Sequence, residues 1–205
     1  MDGKTRWDER YTAEGYFWDK VPLRSCRQLI EIIKPSADYR PKLIDLGCGE
    51  GRNVVFFAQN GFDATGVDIS AAGLQKTVQY AAEVGVQVET VQADLSTYRL
   101  SDSYDVVFST MTLQYLPATR REECFRHYKE HTRNSGINLI SVQVAKPFLP
   151  SEPDDDPTRK TYRSGQLVGY YWDWELLSCT EDIKAAKGAG GRQRAVNTII
   201  VRKRG

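Results

Sequence analysis

The chain has 205 residues, 40% hydrophobic and 27% charged, with a formal net charge of +1. That length and composition suit one globular domain burying roughly 70% of its unfolded-chain surface, and near-neutrality lacks the basic footprint of a nucleic-acid binder. No apolar run reaches the roughly 20 residues that span a bilayer, and the polar start Met1-Asp2-Gly3-Lys4 is unlike a secretion signal, so a cytoplasmic protein with neither nucleic-acid nor membrane partners is expected.

Residues 1–20 crowd Trp7, Tyr11, Tyr16, Phe17 and Trp18 together, too many rings for a disordered tail. The segment is expected either to fold over a ligand as a lid or to plug the open edge of the core. Residues 23–33 place Leu29, Ile30 and Ile33 at helical spacing, and Pro35 stops the helix. Strands are then predicted at 42–46, 62–67, 86–91, 104–108 and 137–144, separated by helices near 52–60, 70–84 and 118–133. This alternation specifies βαβ units and a parallel sheet. Residues 146–157 are rich in proline and charge; their run Asp154 to Asp156 reads as a solvated loop rather than a metal site. A short helix at 164–171 and two antiparallel strands at 172–183 and 195–202 complete the chain.

The stretch Lys42-Leu43-Ile44-Asp45-Leu46-Gly47-Cys48-Gly49-Glu50-Gly51-Arg52-Asn53 carries the strongest chemical signal. A strand runs into a turn with glycine at alternate positions and then into a helix. Open α/β sheets bind nucleotide-like ligands at such a turn, where missing Cβ atoms permit close backbone approach. The dinucleotide pattern G-x-G-x-x-G is not met, because Arg52 stands at its third glycine. Asp45 adds negative charge where a pyrophosphate would sit, and therefore suits a ligand bearing an ammonium. S-adenosylmethionine carries an ammonium, a sulfonium and no phosphate. Asp68, ending the second strand, stands where an acid takes ribose hydroxyls, and Asp94, after the third, is placed to accept from an adenine amino group.

With these motifs in view, the chain resembles the class I S-adenosylmethionine-dependent methyltransferases: Asp45-Leu46-Gly47-Cys48-Gly49-Glu50-Gly51, Gly66-Val67-Asp68-Ile69-Ser70, Gln92-Ala93-Asp94-Leu95 and Tyr104-Asp105-Val106-Val107-Phe108-Ser109-Thr110. More narrowly it is similar to the tellurite-resistance (TehB-like) methyltransferases, through Tyr16-Phe17-Trp18-Asp19-Lys20, Ser164-Gly165-Gln166-Leu167, Tyr170-Tyr171 and Trp174. The resemblance implies a Rossmann-like α/β sandwich, a mostly parallel seven-stranded sheet ending in an antiparallel hairpin with helices on both faces. It implies one domain over 1–205: lid and helix at 1–40, a cofactor-binding core at 41–145 and a substrate-side region at 146–205. S-adenosyl-L-methionine is the implied cofactor, held by Asp45, Gly47, Cys48, Gly49, Arg52, Asn53, Asp68, Ile69, Asp94, Leu95, Ser109 and Thr110.

The acceptor side is expected to involve Tyr11, Trp18, Met111, Gln114, Tyr115, Lys187 and Arg192. The family's late-segment histidine is absent, Lys187 lying near its place, with Arg192 and Arg194 near the family's arginines. The fourth strand ends in Ser109-Thr110-Met111-Thr112-Leu113-Gln114-Tyr115, without a carboxylate, histidine or proline pair. Alignment alone supplies on the order of 7–11 kcal/mol of a displacement barrier, so a soft acceptor needs no strong base. The expected acceptor is a small thiol, selenium or tellurium species, the alternatives being small-molecule N- or O-methylation or a non-catalytic cofactor-binding module that activates a partner; a nicotinamide dehydrogenase has the wrong glycine spacing. The expected assembly is a monomer or homodimer. Cys124, His127 and His131 share a helical face, but the charges around them point to a solvent-facing helix and no metal is expected. Cys26, Cys48, Cys124 and Cys179 have no paired spacing and read as free thiols.

Overall fold

In the computed structural model, which describes residues 3–149, 159–185 and 193–205, the sheet has seven strands in the order β3-β2-β1-β4-β5-β7-β6. Its strands are β1 (Lys42–Leu46), β2 (Asp63–Asp68), β3 (Glu89–Gln92), β4 (Tyr104–Thr110), β5 (Thr132–Val144), β6 (Glu175–Ala185) and β7 (Gln193–Arg202). The first five are parallel neighbours, whereas β7 runs antiparallel to both β5 and β6. The strand order reverses between β1 and β4, so their carboxyl ends flank a crevice, the usual ligand position in such sheets.

The helices are α1 (Gly3–Thr12), α2 (Arg24–Ile33), α3 (Val54–Gln59), α4 (Ala71–Glu83), α5 (Arg121–Glu130) and α6 (Gln166–Tyr170). One face of the sheet, with Leu43, Ala64, Phe108 and Leu139, packs on α2, α3 and α4 through Leu29, Phe57 and Leu74. The other, with Ile44, Val107, Ile140 and Ile199, packs on α5 and α6 through Phe125, Tyr128 and Leu167. Phe57 is fully buried and sits edge-on to Phe62 and Phe108, with centroids 5.3 and 5.1 Å apart. Burying such a ring contributes roughly 1.5–3 kcal/mol, and this cluster ties the helix after the glycine turn to β4.

The predicted alternation and both faces hold, with shifted boundaries. The helix expected at 118–133 is α5 preceded by a 3-10 turn at Ala118–Arg120. Residues 132 and 133 belong instead to β5, whose pairing slips between Tyr104 and Val106. Ser135, at φ 61°, occupies this irregularity and donates its N–H to the Lys203 carbonyl. β3 begins at Glu89 rather than 86, and β6 at Glu175 rather than 172. Pro35 acts as expected: Lys34, barred from the α region by the following ring, takes φ 54° and closes α2 onto the Ile30 carbonyl.

Candidate functional site

The β1 turn bends back at once: the amides of Gly47 and Cys48 both donate to the Val67 carbonyl, at 2.7 and 3.0 Å. Gly47, Gly49 and Gly51 have φ of 86°, 58° and 88°, a region costly to any residue with a Cβ. The volumes those Cβ atoms would fill belong to other elements. A Cβ at Gly47 would stand 2.2 Å from the Thr112 side chain, at Gly49 2.9 Å from the Tyr11 hydroxyl, and at Gly51 2.8 Å from Thr77. The glycines thus let β4's exit, the N-terminal segment and α4 close onto one loop.

Two acids face this turn. Asp68, 8% exposed, accepts from the Gly49 amide on one carboxylate oxygen and from Ser70 on the other, each at 2.9 Å. Burial raises its pKa while these amides hold it down. Every carboxylate oxygen has a second lone pair, so Asp68 is fixed in place and still able to accept hydroxyls. Asp45 differs: it is 1% exposed and neither oxygen has a hydrogen-bond partner. Burial and the nearby Asp68 carboxylate push its pKa to about 8, against a smaller opposing pull from Arg52. An unpaired buried carboxylate is expensive.

Past Asp68 the sheet edge opens as a groove of about 490 Å³ lined by Ile69, Gln92, Ala93 and Asp94 from the strand ends and Gly3 and Lys4 from α1. Asp94 is exposed and caps its own turn by accepting from Ser96 N–H at 2.8 Å; Leu95 packs half-buried against the core. Asp45, Asp68 and Asp94 thus stand near the carboxyl ends of β1, β2 and β3, in the order of those strands; the first two are buried, and Ile69 and Asp94 border the groove.

Other predicted cofactor residues spend their side chains on the scaffold. The Cys48 thiol packs against Gly66, where a Cβ would lie 2.8 Å from Sγ. The Asn53 amide oxygen accepts from Leu23 N–H and the Cys26 thiol, fastening α2 to the turn. The Ser109 hydroxyl, fully buried, donates to the Leu46 carbonyl at 2.7 Å. Thr110 ends β4 half-buried, and its carbonyl accepts from the Thr112 hydroxyl. Arg52 donates to the Trp18 carbonyl at 3.2 Å.

Of the residues expected on an acceptor side, Met111 is held at φ 58°, its N–H donating to Ser141 and its carbonyl accepting from the Gln114 amide, at 2.7 and 2.8 Å. Gln114 is buried by that role. Tyr115 meets Trp7 edge-on at 5.8 Å, which brings the N-terminal helix to the end of β4. Lys187, Arg192 and the run Asp154 to Asp156 lie outside the described residues; Arg194 lies in β7.

The N-terminal segment covers the turn. Tyr11 is 4% exposed with its hydroxyl against Gly49, and it accepts from the Trp18 indole N–H at 3.1 Å. Burial and the neighbouring Asp68 raise its pKa. Asp8 accepts from the Ser70 hydroxyl, whose oxygen in turn caps the Gly73 amide of α4. Asp8, Lys76 and Thr112 carry no local signal as neighbours of the turn, since only the fold brings them to it; Ser70, a serine directly before a helix, is readable as its cap.

Among the described residues one grouping has metal-ligand chemistry: His127, Glu130 and His131, with ligand atoms within 4.8 Å of one another. His127 Nε2 accepts from Leu100 N–H at 2.8 Å, which puts the proton on Nδ1, and His131 Nδ1 donates to the His127 carbonyl. Cys124 does not share a solvent face with them; it is 1% exposed in the core, because α5 turns Cys124, Phe125 and Tyr128 toward the sheet. All four cysteines are free thiols, and no helix among the described residues is long and apolar enough to cross a membrane.

Comparison with known proteins gives the family and the fold. Residues 10–194 match the family model described as "Tellurite resistance protein TehB". The chain is 30% identical over 142 residues to the probable S-adenosyl-L-methionine-dependent methyltransferase TehB of Haemophilus influenzae, covering 69% of this chain and 49% of that protein. It is 29% identical over 183 residues to a protein of Eikenella corrodens described as Hemagglutinin 1, covering 87% and 58%. The chain thus spans about half the length of the curated relatives it matches. The crystal structure of TehB from H. influenzae superposes with a TM-score of 0.80 at 23% identity, over 98% of this chain and 67% of that one. Magnesium protoporphyrin IX methyltransferase from Synechocystis, solved with S-adenosylmethionine bound, gives 0.68 at 16% identity, over 99% and 98%. The architecture is the class I methyltransferase fold, and the chain belongs to the TehB family.

Proposed function

We propose that the protein is an S-adenosylmethionine-dependent methyltransferase that acts on a small, soft nucleophile, a thiol or a reduced selenium or tellurium species. The carrying observation is Asp45, a buried carboxylate with both oxygens unpartnered, one strand away from a second buried acid that faces the same turn. Two acids converging there disfavour a pyrophosphate and favour a ligand with an ammonium and hydroxyls. The residues fit: Asp45 would take the ammonium, Asp68 the ribose hydroxyls, and Ile69, Asp94 and Leu95 the base, beside the groove that Ile69 and Asp94 border. The cofactor supplies a methyl group on a sulfonium, already a good leaving group.

The chain's own contribution is then positioning. The end of β4 is fixed by main chain: Thr112 bonds to the carbonyls of Thr110 and Gly47, Met111 to Ser141, and Gln114 to Met111. The polar side chains of Thr112 and Gln114 are engaged in holding this turn, which favours an acceptor that arrives nucleophilic. A thiol is a few per cent ionised at neutral pH and very nucleophilic. The names of the family and its H. influenzae relative support the same reading. The test is release of S-adenosylhomocysteine on incubation with thiol, selenite, tellurite, amine and catechol acceptors. Turnover with the soft set alone is the expected result; turnover confined to amines or catechols rejects the acceptor class, and cofactor binding without any turnover leaves the non-catalytic module.

A further inference from the structure

The glycine turn contains Glu50, whose side chain is 1% exposed and paired with Lys76 of α4 at 3.1 Å. Nothing in the cofactor chemistry requires this pair. Its remaining bonds all go to the N-terminal segment: the Lys76 ammonium donates to the carbonyls of Ala13 and Gly15, and the second Glu50 oxygen accepts from Trp18 N–H at 3.1 Å. All three ammonium donors are thereby used. Arg52 adds a bond to the Trp18 carbonyl and lies 5.6 Å from the Trp18 ring centre. Trp18 in turn holds the Tyr11 hydroxyl over Gly49. The chain of contacts runs from the cofactor turn, through one ion pair, to the residues covering that turn.

We propose that Glu50 and Lys76 are positioning residues that latch residues 13–18 over the cofactor turn and so set the rate of cofactor exchange. The inference rests on the cofactor reading above. A hydrogen-bonded buried ion pair is a strong but discrete fastening, since losing one partner strands the other's charge. The pair takes two carbonyls and one amide of the segment it holds, beside the Tyr16 hydroxyl on the Lys76 carbonyl and the Trp18 indole on Tyr11, so opening the pair frees its main chain. A lid fastened to the loop beneath it reports the state of that loop: a ligand that orders the turn orders Glu50 and tightens the latch.

The test uses S-adenosylhomocysteine as probe. Calorimetry on the wild-type chain comes first, and absence of binding there defeats the cofactor reading rather than the latch. Given binding, amide hydrogen exchange at residues 13–18 of the wild type should slow about tenfold with the ligand present; unchanged exchange overturns the proposal with no variant needed. The double substitution Glu50→Gln with Lys76→Met removes the pair without leaving a lone buried charge. It should raise the stopped-flow dissociation rate about tenfold or more and speed exchange at the Trp18 amide. A dissociation rate and Trp18 protection equal to wild type in this variant overturn the latch.

Discussion

The two halves of the sheet edge are built on different principles. On the β1-β2-β3 side, chemistry sits in side chains at strand ends: Asp45 with two unpartnered oxygens, Asp68 gripped by two amides, and a groove bordered by Ile69 and Asp94. On the β4-β5 side, Ser109, Thr112 and Gln114 spend their polar groups on neighbouring carbonyls, and Met111 is held at positive φ. One side keeps buried carboxylate oxygens without protein partners, at some cost in stability. The other is a frame held by its own hydrogen bonds. Under the proposed function, the cofactor accounts for the acids and glycines of the first, and a soft acceptor would ask of the second only a well-held turn.

The largest expected effect breaks that contrast at Asp45. Its folded pKa of about 8 lies above the usual unfolded carboxylate value of about 3.9, so the folded state binds the extra proton between those limits. The stability this confers is complete below about pH 4 and is lost as pH rises through about 8. Asp45→Asn should therefore raise ligand-free stability by ~2–4 kcal/mol at pH 8.5 and by almost nothing at pH 4, checked by denaturant melts at both values. The same variant should lose cofactor affinity. In the wild type, affinity for S-adenosylhomocysteine should climb by up to about tenfold per pH unit from 6 to 8, with proton release on binding, and the variant should lose this slope. A more stable variant that still binds normally would remove Asp45 from the site.

Gly47→Ala couples the halves, since its methyl would meet Thr112 at 2.2 Å with φ at 86°. A loss of ~2–4 kcal/mol is expected from the left-handed backbone and the overlap together, read as a lower denaturation midpoint. Adding Thr112→Gly should restore about half of it, by relieving the overlap but not the backbone. Asp68→Ala removes charge-assisted bonds worth roughly 1.5–3 kcal/mol each, so calorimetry should show affinity for S-adenosylhomocysteine lower by about one to two decades. Smallest of all, Met111→Leu keeps the apolar volume and should leave cofactor affinity within about twofold. It should still change the relative KM of soft acceptors, because the thioether is the polarisable group at that turn; unchanged selectivity would take Met111 out of the acceptor pocket.

The legibility of the sequence follows the same divide. Strand-helix alternation and the acid at each strand end are local patterns, and β1 appears at Lys42–Leu46, the predicted bounds. The glycines were readable as positive-φ positions, yet their filling by Thr112, Tyr11 and Thr77 was not, for these partners come from elements far along the chain. Local pattern likewise gave no sign that Cys48, Asn53 and Ser109 turn their side chains into the scaffold. The slip in β5 escaped because Asn134, Ser135 and Gly136 look like a loop, and only pairing with β4 and the Lys203 contact draw 132 and 133 into the strand. The Glu50 and Lys76 pair spans two elements and has no spacing signature.

The central claim is that Asp45, the turn at 47–49 and Asp68 form one seat for a positively charged nucleoside. Crystals grown with S-adenosylhomocysteine test it most directly. The account predicts the ribose hydroxyls on the Asp68 carboxylate, the ammonium beside Asp45, and the base against Ile69 and Leu95. Density for the nucleoside elsewhere, with the rim above residues 47–49 vacant, would contradict it.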